Sequence, residues 1–231
     1  MISSHRRLAS LAVAACCSVP VGGALAASAS AATLTVAKPC LVNTDPVEGT
    51  SMLVTGSGFV PGSTVSLTGV SDLNAVSGAA DPSGNVSLQA HAPELAIKNF
   101  GPGTGIRTVT GTASNPDGTR TTAQAQVRIA NLSVATKPTV VPDVRKDKVT
   151  FNFSGFVPGK HIYGFYSRKR STKKTTFGKA TGACGTLKQK ALLFPGGHPA
   201  KGKYTVTFES SSRYKKNAFP RIVGVLKIGE L

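Results

Sequence analysis

Tryptophan is absent from the 231-residue chain, and only ten carboxylates stand against 27 lysines and arginines. Long runs with a 3.6-residue apolar period are missing as well, which excludes a helical bundle. The scarcity of acids leaves little for paired-carboxylate chemistry. In the second half the carboxylates are Asp143, Asp147, Glu209 and Glu230, scattered among many cations. No serine has the flanking glycines of a nucleophile elbow, and no Gly-x-x-x-x-Gly-Lys phosphate loop occurs. Beyond the first residues the histidines are His91, His161 and His198, too dispersed to suggest a zinc site. No catalytic constellation emerges, no cofactor is implied, and the expectation is a protein that is not an enzyme.

Short alternating runs separated by Gly, Pro, Asn and Asp clusters are what the chain does have, and these predict an all-β fold. The first 32 residues stand apart. Arg6 and Arg7 precede an uncharged span to Val36, rich in Ala and Ser, with small-residue cleavage sites ending at Ala26 or near Ala31-Ala32. This pattern reads as a secretory signal over 1–32 and predicts a secreted or cell-envelope protein. A retained anchor is one alternative. Lipidation at Cys16, within Val13-Ala14-Ala15-Cys16, is another, and only then would a membrane be a partner.

The remainder is written twice. Ser57-Gly58-Phe59-Val60-Pro61-Gly62 returns as Ser154-Gly155-Phe156-Val157-Pro158-Gly159, 97 positions later. Pro102-x-x-Gly105-x-x-Thr108-Val109-Thr110 matches Pro199-x-x-Gly202-x-x-Thr205-Val206-Thr207 at the same offset, and Leu34-Thr35-Val36-Ala37 matches Leu132-Ser133-Val134-Ala135 at 98. Two β-sandwich repeats are expected, at 33–130 and 131–231, closely coupled because no Pro/Ser linker separates them. In each copy Val-Pro-Gly suits a type II turn, with the phenylalanine plugging the end of a core. Expected strands lie near 33–37, 50–57, 63–69, 84–90, 106–113 and 120–130 in the first repeat. In the second they lie near 132–136, 147–154, 160–167, 175–180, 187–194, 203–210 and 221–228.

Charge divides the repeats. Residues 33–130 carry five Lys/Arg and six Asp/Glu, a balance of −1, whereas 131–231 carry twenty and four, a balance of +16. Twelve of the fourteen Phe and Tyr also lie after residue 130. Function is therefore expected in the second repeat. Outside the targeting segment only Cys40 and Cys184 remain. In an oxidising compartment they can pair, joining the first strand of repeat one to the middle of repeat two. Free thiols and an intermolecular bridge are the alternatives.

Gly56-Ser57-Gly58-Phe59-Val60-Pro61-Gly62, followed by Asp81-Pro82-Ser83-Gly84-Asn85, resembles bacterial immunoglobulin-like modules of secreted and surface proteins. Gly155-Phe156-x-Pro158-Gly159-Lys160 with Tyr163-Gly164 and Gly182-Ala183-Cys184-Gly185 is similar to the C-terminal module of secreted actinobacterial proteins of no settled function. The resemblance spans nearly all of 33–231 and implies tandem immunoglobulin-like sandwiches; it assigns no ligand.

The candidate site is the basic, aromatic segment beginning at Lys160. Tyr163, Tyr166, Arg168, Lys169, Arg170, Lys173 and Lys174 run from a strand into a cationic hairpin. Lys179, Lys188 and Lys190 follow, and Arg213, Lys215 and Lys216 form a second cationic loop. Alternation sends Ile162, Gly164 and Tyr166 to one face and His161, Tyr163 and Phe165 to the other; one set is core. Cations beside aromatic rings suit an anionic polymer. An exported adhesion module contacting anionic envelope polymers is the leading expectation. An extracellular nucleic-acid binder using Tyr163 and Tyr166 for stacking is the second, and a structural module with incidental charge the third.

Overall fold

Alternation of Val, Thr, Ala and Phe with polar residues is the pattern of half-buried strands, and strands are what form. A computed structural model describes residues 31–43, 50–72, 75–93, 103–196 and 199–229. The expected signal segment and its Cys16 therefore lie outside the described residues, as do His198 and Glu230. Fifteen strands and no helix are found among them. The first eight are β1 (Thr33–Val36), β2 (Leu41–Asn43), β3 (Ser51–Ser57), β4 (Thr64–Thr68), β5 (Val76–Ala79), β6 (Val86–His91), β7 (Thr104–Ser114) and β8 (Arg120–Asn131). Then come β9 (Ser133–Lys137), β10 (Lys148–Ser154), β11 (His161–Arg168), β12 (Ser171–Lys179), β13 (Leu187–Leu192), β14 (Gly202–Glu209) and β15 (Arg221–Ile228).

Each repeat pairs a small sheet with a larger one. In the first, β1-β3-β6 accompanies β2-β8-β7-β4-β5; in the second, β9-β10-β13 accompanies β12-β11-β14-β15. Every pairing is antiparallel except β2 with β8. The sequence reading lacked β2 and β5, each too short to show an alternation of its own. One buried cluster runs from Leu34 to Ile129 and another from Val141 to Ile228, the two cores of tandem sandwiches. The first is built of Val, Leu and Ala around Phe59. The second is a ring cluster in which Phe177 sits 4.9 Å from both Phe151 and Phe153, edge-on to each. Such contacts add roughly 0.5–1.5 kcal/mol per pair beyond burial.

The repeated hexapeptide does the same job twice. Gly62 and Gly159 have φ of 75° and 76°, and the amides after them reach back to Val60 and Val157, closing the expected turns. Phe59 and Phe156 are buried. The Phe59 amide donates to Gly84 O and the Phe156 amide to Gly185 O. Gly84 (φ 76°) and Gly185 (φ 57°) pass so close that an added Cβ would stand 2.3 Å and 1.6 Å from those phenylalanine carbonyls. Glycine is therefore required at both crossings.

The join is tight. β8 runs through Asn131-Leu132 into β9, the Leu132 amide donates to Asn43 O, and Ser154 Oγ donates to Asn131 O. Cys40 and Cys184 form a disulfide, with their Cα atoms 5.3 Å apart. The sequence reading put Cys40 in the first strand; it lies beyond that strand's end. Lys38-Pro39 ends β1, and Cys40 lies where the chain crosses to the other sheet to form β2. Cys184 lies in the turn that ends at Gly185.

Candidate cationic interface

The basic segment folds as a hairpin, and its strand alternation sorts the cations. β11 pairs with β12 from His161 to Arg168, so β12 begins at Ser171 and only Lys169-Arg170 form the tip. Lys173 and Lys174 are strand residues rather than loop residues, and they face opposite ways. Thr-rich β12 carried that signal in its own sequence, but four cations close together read more readily as a loop.

On the outer face of β12-β11-β14-β15, registration places Lys174 beside Phe165, then Thr207 and Val223; Tyr163 lies beside Glu209, then Arg221. An open aromatic strip was one outcome of the alternation. Instead the chain covers it. The loop from residue 210 to 220 folds over this face, and Tyr214 meets Phe165 edge-on at 5.7 Å. Lys174 Nζ donates to Ser212 O at 3.0 Å and stands 5.1 Å from the Tyr163 ring centroid. Arg221 donates to Tyr214 Oη at 2.8 Å and to Lys216 O. Beneath the loop Thr207 and Glu209 are buried although they face outward. Glu209 Oε1 accepts the Lys215 amide at 3.2 Å, and Oε2 has no partner. Burial pushes this carboxyl above its usual range, against the Lys215 amide and the charges of Arg221 and Lys215.

Tyr166 requires a correction. It belongs to the set with Ile162 that faces inward, 2% exposed, edge-on to Phe194 at 5.4 Å. Its hydroxyl has no hydrogen-bond partner, and burial raises its pKa. A ring in the core cannot stack on a base, so Tyr166 leaves the ligand-binding set.

The remaining cations are dispersed more widely than one strand suggested. Lys160 and Lys179 lie at the turn end of β11, beside Ala180. Lys188 and Lys190 are exposed on β13, in the other sheet. Arg213, Lys215 and Lys216 are on the covering loop. At the opposite end of β11 a group does form. Arg168, Lys169, Arg170 and Lys173 rim a cleft of roughly 520 Å3 whose wall includes Phe194, Tyr204 and Pro199. Arg168 lies over Tyr204 at 5.7 Å and Lys173 over Phe194 at 5.6 Å, with Lys173 Nζ also donating to Gly196 O at 2.8 Å.

Neither a family model nor a curated protein matches this sequence. Among solved structures, a Ca2+-stabilized adhesin that helps an Antarctic bacterium reach out and bind ice aligns at TM-score 0.34 and 14% identity, over 85% of this chain and 48% of its own. A tetra-tandem repeat from the extending region of a large adhesion protein aligns at TM-score 0.26 and 14% identity, over 85% and 50%. The YadV chaperone aligns at TM-score 0.28 and 7% identity, over 84% and 99%. The chain thus spans about half the length of the first two. With likenesses this distant, the architecture is read from the chain's own strand order.

Sequence reasoning missed three further cations at this end. Lys203 and Lys227 are direct cross-strand partners, and Lys201 precedes β14. Like charges directly opposite one another destabilise a sheet. None of these seven side chains pairs with a described carboxylate. Lys169 adds backbone strain, with φ at 51° in a non-glycine residue. Among the described residues no cluster of three potential metal ligands is found, and no helix is long and apolar enough to cross a membrane.

Proposed function

We propose that this is an exported, non-enzymatic adhesion module whose second domain, at 131–231, holds anionic cell-envelope polymers by its hairpin end. One observation carries the reading: seven cations without carboxylate partners gather at one end of one sheet, two of them over aromatic rings. Crowding them costs stability that a bound polyanion would return. A disulfide between the two sandwiches fits an oxidising, extracellular setting. Nucleic acid is the weaker reading, because Tyr166 is core and Tyr163 is engaged by Lys174.

The test is co-sedimentation or titration with polyphosphate and with a polyuronate over a salt series. Replacing Arg168, Lys169, Arg170 and Lys173 by Gln removes four contacts. The slope of log affinity against log salt should fall by about 3, on the scale known for single-stranded polyanions. An unchanged slope, or retention that ignores salt, would remove the hairpin end from the reading. Polyphosphate against polyuronate separates phosphate from carboxylate polymers.

A further inference from the structure

The two sandwiches share a strand plan with one strand missing from the second. In the first repeat β8 is not an edge, because β2 lies parallel to it, with Leu41 paired to Ile129 and only 1% exposed. At an offset of 98, Leu41–Asn43 falls on Thr139-Val140-Val141. That segment is bounded by Pro138 and Pro142, which have no N–H to give to a ladder. It forms no strand, and among the described residues β15 pairs with β14 alone.

What remains is a groove of roughly 810 Å3 between the 139–145 segment and the free edge of β15 at Val225–Gly229. Its mouth is apolar, with Val140 64% and Val225 68% exposed. Eight residues of β15 contain no proline to blunt the edge. Such an edge presents unpaired amides and carbonyls to any strand that reaches it. Charge narrows the choice of strand. Among the described residues, Arg145, Lys201 and Lys227 line the groove against one carboxylate, Asp143, which Arg145 pairs. A second copy would bring another strongly basic domain edge to edge with this one, which like-charge repulsion opposes.

We propose that the free edge of β15 accepts an extended, acid-flanked segment of another polypeptide as an added strand. It runs parallel to β15, as β2 runs parallel to β8. Main-chain hydrogen bonds supply the attachment, an inward apolar residue takes the place of Leu41, and the flanking acids meet Lys201 and Lys227. The interaction uses backbone groups of β15 with Lys201 and Lys227, two of the seven cations, and none of Arg168, Lys169, Arg170 and Lys173 at the hairpin cleft.

The probe is a synthetic peptide of alternating valine and threonine flanked by two glutamates at each end, with a lysine-flanked control. Amide exchange is read by NMR on the chain from residue 31 onward, with the mass followed by sedimentation. The glutamate-flanked peptide should slow exchange of alternate β15 amides in a monomeric protein, and the lysine-flanked peptide should not. Val140→Glu, at an exposed position, should weaken that binding roughly threefold or more. The four-Gln hairpin variant should retain it. Three results would overturn the proposal: peptide binding without protection of the β15 amides that point away from β14, those outward amides already protected in the free monomer, or protection that rises with protein concentration alongside a dimer mass.

Discussion

Glu209 and Tyr166 are two of the residues of the second sandwich that bury a polar atom without a hydrogen-bond partner, as Ser210 and Arg221 do. In Glu209 and Tyr166 that atom is an oxygen, one under the covering loop and one inside the core. Glu209 is the more informative because it titrates. Its folded pKa lies above the unfolded value near 4.5, so the folded state keeps a proton that the unfolded chain has released. Its contribution to stability is therefore complete below that unfolded value and declines as pH rises through the raised one. Glu209→Gln imitates the protonated form. Urea midpoints of the two proteins should nearly coincide at acid pH and separate as pH rises, with the glutamine variant more stable at neutrality. Midpoints that move together across the series would show that the loop does not hold this carboxyl out of water. Alternation in β14 made Tyr204, Val206 and Phe208 legible as one face. It could not reveal that Glu209, on the other face, is buried, because the cover comes from a loop whose path has no periodicity.

At the scale of elements, the hexapeptide turn is the part that sequence described best. A repeated Val-Pro-Gly specifies its own φ values, so the turns followed from local chemistry alone. The crossing partner did not. Gly84 and Gly185 are separated by 101 positions, not 97, and nothing local announces that they touch Phe59 and Phe156. Two neighbouring glycines make a controlled measurement. Gly182→Ala meets only the cost of φ at 66°, with nothing within 4 Å of the new Cβ, and should lose about 1 kcal/mol. Gly185→Ala adds a collision with the Phe156 carbonyl and should lose about 2–3 kcal/mol or fail to fold. Equal losses in chemical denaturation would mean that the crossing can open at little cost. β12 illustrates the opposite case: a strand is expected only near 175–180, the cations before it read as a hairpin, and in the strand that starts at Ser171 alternation sends Lys173 and Lys174 to two faces.

For the whole molecule, the tandem plan and the position of the charge were legible, while the arrangement of the charge was not. Net charge is a property of composition; which of twenty cations share a sheet end depends on registers between strands far apart in sequence. The bridge between Cys40 and Cys184 belongs to this scale too. It spans 144 positions, and in the chain-entropy model its closure contributes roughly 4–5 kcal/mol at most. Replacing both cysteines by serine should lower the melting temperature and divide one calorimetric transition into two, since each sandwich has its own core. A single transition at the original temperature would show that the Asn131-Leu132 join couples the cores without help.

The same bridge has a mechanical consequence. If tension is applied between residue 31 and Gly229, it passes from Cys40 directly to Cys184 and leaves the chain between them slack. The backbone of strands β2 to β12 then lies outside the covalent load path, and at about 3.5 Å per residue the 144-position loop withholds on the order of 500 Å of extension. Under force the oxidised protein would yield only its short N-terminal lead and the strands from β13 onward. The hairpin from Arg168 to Lys173 lies inside the shielded loop, but Phe194 and Tyr204 beneath its cations lie outside it, so stretching would take the cleft apart and release a ligand held there.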